Sequence, residues 1–133
     1  MDYMNLSFVK KINGSPVGIL FIQVKTAKEN ETIETVLNYF HKDYKERYNI
    51  TNLIHQSSKK LKWFSEKVSE GNATLQPHEA EISVFNNIAF LLSKLNGCWL
   101  YIEMLGHSKD VNFEAWAVCD RTLDLIQDSF KVL

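Results

Sequence analysis

A chain of 133 residues with 45% hydrophobic and 23% charged side chains has the composition of one ordinary globular domain, which excludes a disordered or low-complexity chain. A net charge of −1 excludes a global field that would draw it to nucleic acid or to an anionic membrane. Two cysteines exclude a disulfide scaffold.

No Pro/Gly-rich linker or internal repeat divides the sequence, so residues 1–133 are expected to form a single domain. The longest apolar runs, Gly18–Ile22 and Ile88–Leu92, are far too short for a bilayer. Near the start there is no apolar run with a basic flank and a small-residue cleavage site, which predicts a cytoplasmic protein with reduced thiols.

In chain order, Leu6–Ile12 and Val17–Lys25 read as strands around the turn signal Asn13-Gly14-Ser15-Pro16, an antiparallel hairpin. The run Ile19, Leu20, Phe21, Ile22 makes the second strand an interior one. From Asn30 the period changes: Ile33, Val36, Leu37, Phe40 and Tyr44 recur at helical spacing, with Asn30 or Thr32 as N-cap. A second helix is expected from Asn52 to Val68, with Ile54, Leu61, Phe64 and Val68 on its apolar stripe and Lys59, Lys60, Lys62 and Lys67 on a solvated face. A third is expected from Pro77 to the cap signal Asn96-Gly97, apolar nearly all round and therefore central. Cys98–Leu105 and Asn112–Cys119 read as two further strands, and Asp120 as the cap of a last helix through Leu123, Ile126 and Phe130. The order strand, strand, three helices, strand, strand, helix predicts an α+β fold: a mostly antiparallel sheet of two hairpins packed by helices.

In a symmetric register of the second hairpin, Glu103 faces Glu114, Tyr101 faces Trp116, Trp99 faces Val118 and Cys98 faces Cys119. One face then gathers Trp99, Tyr101, Glu103, Glu114 and Trp116, while the other is uniformly apolar. Aromatic rings beside paired carboxylates make a recognition patch for a basic protein partner, unless a helix covers the rings. The expected function is a non-enzymatic protein-binding module, of the kind an immunity or antitoxin protein uses to mask a basic site.

The alternative is a nucleic-acid-associated or nuclease-like protein. The string Gly18-Ile19-Leu20-Phe21-Ile22-Gln23-Val24-Lys25 resembles the core strand of restriction-type nucleases of the Mrr class, in which an upstream acid and the strand's polar end hold a divalent metal. Where the first strand should offer that acid, this chain has Lys10-Lys11-Ile12-Asn13. The Lys59–Lys67 stretch around Trp63 is the other feature of that kind. His41, His55, His78 and His107 show no zinc spacing with the cysteines, and the five glycines form no phosphate loop. No catalytic residue, cofactor or metal is therefore expected.

Overall fold

The computed structural model describes residues 3–58, 68–77, 85–95 and 97–129. The hairpin at the start forms as its turn residues dictate. Strands β1 (Tyr3–Ile12) and β2 (Ser15–Thr26) meet at Asn13 and Gly14, whose φ angles of 49° and 81° suit asparagine and glycine. The turn is two residues shorter than the signal Asn13–Pro16, because Ser15 already pairs with Ile12. Pro16 then stands opposite Lys11, next to a register shift.

Thr32 caps helix α1 (Ile33–Phe40) through a reciprocal pair of hydrogen bonds with Thr35. The helical register breaks at His41 and resumes as the short α2 (Lys42–Arg47). Strands β3 (Tyr48–Ser58), β4 (Val68–Pro77), β5 (Asn87–Leu95) and β6 (Cys98–Gly106) follow, and α3 (Phe113–Ser129) ends the order. Among the described residues the strands form one six-stranded antiparallel sheet, ordered β1-β2-β6-β5-β4-β3. The class is α+β, and β2 is an interior strand, as expected.

Three segments depart from the sequence expectation. Residues 52–58 and Val68 lie in β3 and β4 rather than in a helix, while the lysine cluster and Trp63 fall outside the described residues. The helix expected from Pro77 is strand β5 over Asn87–Leu95, with 78–84 outside the described residues. Its all-round apolarity reflects a strand covered on both faces, which periodicity alone does not separate from a buried helix. The expected strand Asn112–Cys119 is instead the first half of α3. Asn112 accepts a hydrogen bond from the Ala115 amide at 3.1 Å, an N-cap contact, and Ala115, Cys119 and Leu123 are buried at four-residue intervals.

The core lies in two layers on either side of the sheet. One layer joins Val17, Leu20, Leu91, Ile102 and Met104 to Ala115, Cys119 and Leu123 of α3. The other joins Ala73, Leu75, Ile88, Phe90, Leu92, Trp99 and Tyr101 to Val36 and Leu37 of α1. The central strands thus bury both sets of alternating side chains. Gly18 lets α3 approach closely, since a Cβ there would lie 2.6 Å from the Cys119 sulfur. The two cysteines, expected side by side, are free: Cys98 pairs with Thr26 and Leu95, whereas Cys119 is buried on α3.

Candidate functional site

Alternation along β6 puts Trp99, Tyr101 and Glu103 on the sheet face covered by α1 and α2. Glu103 stands between Phe21 of β2 and Phe90 of β5 and keeps only 3% exposure. A carboxylate there requires hydrogen-bond donors, and two phenols supply them. The Tyr101 hydroxyl donates to Oε1 at 2.7 Å, and the Tyr44 hydroxyl of α2 donates to Oε2. Behind Tyr101, His41 Nε2 lies 2.8 Å from the phenolic oxygen, so His41, Tyr101, Glu103 and Tyr44 form one continuous chain of hydrogen bonds. The break between α1 and α2 falls at His41 and sets this geometry.

Burial outweighs the two donated hydrogen bonds and pushes the Glu103 carboxyl up to about 7. Burial and the neighbouring carboxylate push both phenols well above the ordinary tyrosine value. Phe40 stacks flat on Tyr101, with ring centroids 4.5 Å apart.

Over this network lies a cleft of about 230 Å³ lined by Phe21, Gln23, Phe40, Asp43, Tyr44, Arg47 and the β6 residues Tyr101, Glu103 and Leu105. A second cleft of about 290 Å³ shares Gln23, Phe40 and Asp43 with it. Arg47 is tied locally: its guanidinium lies 5.2 Å over the Tyr48 ring, and Nη2 donates to the Tyr48 hydroxyl at 3.0 Å.

The five residues expected to share a face are divided by the sheet. Trp99 is buried on the Glu103 side, where its indole donates to Glu31 Oε1 at 3.3 Å. Glu31 in turn pairs with Lys25 at 2.7 Å. Glu114 is exposed in the first turn of α3, and half-buried Trp116 sits beside Phe113 and under Lys109, 5.2 Å from its ring. The opposition of Glu103 to Glu114, and of Tyr101 to Trp116, does not exist, because 113–119 is helical. His41 and Tyr44 were not singled out as site residues. The available signal was Glu103 itself, a lone acid between Ile102 and Met104, which had to find donors from another element.

On the nuclease-like strand, Lys25 is engaged by Glu31, and the neighbours opposite Gln23 are Asn5 and Tyr101, neither of them an acid. Among the described residues, no three His, Cys, Asp or Glu side chains are grouped to hold a metal ion. No described helix is long and apolar enough to cross a membrane.

A separate surface stands out at the sheet edge. Met4, Leu6 and Phe8 of β1 are 46%, 44% and 53% exposed, and they pair with Val24, Ile22 and Leu20 on the α3 side of the sheet. Beyond β1 the sheet has no further strand among the described residues. No protein-family model and no curated protein matches this chain.

Proposed function

We propose that the protein is a non-enzymatic protein-binding module that takes up an extended partner segment along the open edge of β1. The observation that carries this reading is the row Met4, Leu6 and Phe8 beside a strand edge that no described strand pairs with. Natural sheets usually blunt such edges with charges, prolines or bulges. Here residues 3–9 carry no charge and no proline, and the register shift comes only at Lys10/Lys11. Strand addition would satisfy the outward backbone groups, and alternate apolar side chains of the partner would cover the row. Lys10 and Lys11 favour a partner with carboxylates at that end.

An immunity or antitoxin role is compatible with this mode, the masking being steric. Tyr101 and Glu103 lie inside and offer no electrostatic patch to a basic toxin. The free thiols Cys98 and Cys119 fit a cytoplasmic setting.

The test is hydrogen exchange on the complex captured from the native cell, with wild type and with Leu6→Lys/Phe8→Lys. The amides of 3–9 should gain protection in the complex, and the double variant should weaken binding at least about tenfold. A complex that leaves β1 unprotected, or that ignores the variant, would overturn the proposal. Protection that rises with protein concentration alone would identify a second copy as the occupant and replace the heterologous partner.

A further inference from the structure

The cleft over Glu103 is independent of the β1 edge, and its chemistry is different. We infer that it is a binding site for a small organic cation, an alkylammonium or quaternary ammonium group, with the Glu103 carboxylate as its floor and the rings of Phe21, Phe40 and Tyr44 as its walls. The floor has acceptor capacity to spare. An ionised carboxylate offers roughly four lone-pair positions, and the two phenols use one on each oxygen.

Among the described residues its charge also lacks a counter-ion. Among the described residues the side-chain ion pair is that of Lys25 with Glu31, and neither Lys nor Arg pairs with Glu103. A buried carboxylate without an opposite charge is costly, and a cation entering the cleft would relieve that cost. Aromatic faces beside a carboxylate are the combination that recognises ammonium groups. Asp43 adds a second negative charge at the rim, opposed by Arg47, whose guanidinium is held by Tyr48, while Lys42 lines the adjoining cleft. A volume of about 230 Å³ admits a headgroup of a few heavy atoms, and the adjoining cleft of about 290 Å³ would take a short substituent.

Binding should follow the ionisation of Glu103. The groups that face it are Tyr101 on its own strand and Tyr44, Asp43 and Arg47 from α2, with His41 reached through Tyr101; β2 and β5 present Phe21 and Phe90. The phenols stay protonated near neutrality, so the carboxyl, pushed up to about 7, is the group in direct reach of the cation that changes charge there. Affinity for a cation should rise about tenfold from about pH 6 to about pH 8, as that carboxyl ionises.

The experiment titrates tetramethylammonium and n-butylammonium chloride, with sodium butyrate as the anionic control, at constant ionic strength. Amide NMR of Gln23, Tyr44 and Glu103 provides the readout. Saturable shifts with the cations are expected, tighter at the higher pH and lost at least tenfold in Glu103→Gln. Arg47→Gln removes the positive charge at the rim and should improve cation affinity. Tyr44→Phe removes a bond that lowers the Glu103 pKa, so it should move the pH midpoint of binding upward and serves as a second probe. The inference is overturned if neither cation saturates by about 50 mM. It is equally overturned if butyrate binds and Arg47→Gln abolishes that binding, or if both Glu103→Gln and Tyr44→Phe leave cation affinity and its pH midpoint unchanged.

Discussion

Tyr44 of the short helix α2 donates its phenolic hydrogen to Glu103 in the interior of the sheet, linking positions 59 residues apart. No residue of α2 is fully buried. Its position against the sheet therefore depends on this polar contact as well as on the half-buried Tyr44 ring. The same bond helps hold a carboxylate in the core, so each residue accounts for the other's placement.

Stability should fall as pH rises toward neutrality. The folded-state pKa of Glu103, about 7, lies above the ordinary 4.5, so the native state holds this proton more tightly than the unfolded chain. Its contribution is full below about pH 4.5 and is lost as pH climbs through about 7, on the order of 3–4 kcal/mol in total. Urea melts at several pH values should show this slope in wild type and lose it in Glu103→Gln. Glu31, held below its ordinary value by Lys25, acts in the opposite sense at lower pH and is unchanged in that comparison.

Tyr44→Phe should destabilise by about 1–3 kcal/mol, the range for a hydrogen bond to a charged or buried acceptor. The effect should shrink when combined with Glu103→Gln, because the two groups share one bond. Equilibrium unfolding of the two single variants and the double variant measures the coupling.

How far the sequence revealed this arrangement depended on whether a segment carried more than one kind of signal. Asn13-Gly14 and Thr32 are local chemical instructions: the first makes the turn, and Thr32, one of two cap candidates, caps α1. Cys98–Leu105 segregates its two faces clearly and forms β6. In contrast, Ile88–Leu92 is apolar at every position and fits strand or helix equally, while Phe113–Cys119 satisfies both a two-residue and a four-residue period. That second ambiguity turned half of α3 into a strand and carried Glu114 and Trp116 to the wrong side of the sheet. Tyr101 and Glu103 share one face of β6 as expected, yet the Tyr44 donor on α2 depends on how α1 breaks at His41, a tertiary detail.

The two core layers should respond to truncation while the outer surface of α3 should not. Phe90→Ala removes a fully buried ring between β4 and β6 and should cost about 3–5 kcal/mol. Phe113→Ala, at a ring 61% exposed, should stay within about 0.5 kcal/mol. Thermal or chemical melts of both variants separate core from surface.

Gly18→Ala should destabilise by about 1–3 kcal/mol, since the new methyl would press on the Cys119 sulfur at 2.6 Å and the Leu105 carbonyl at 3.0 Å. Cys119→Ala in the same chain should recover part of the loss, because the sulfur is the closer obstacle. Failure of the double variant to exceed the additive expectation would point to the backbone carbonyl as the limiting contact.

Strand β6 behaves like text in a fixed frame: odd positions Trp99, Tyr101 and Glu103 belong to the helix pair α1 and α2, and even positions Ile102 and Met104 belong to α3. Deleting one residue within it would exchange the two sets, thrusting the carboxylate against Leu20 and Leu91 and leaving the phenol of Tyr44 without its acceptor. An added residue in the turn before α3, between His107 and Asn112, crosses no such boundary. The chain should therefore accept length changes there and refuse them a few positions earlier.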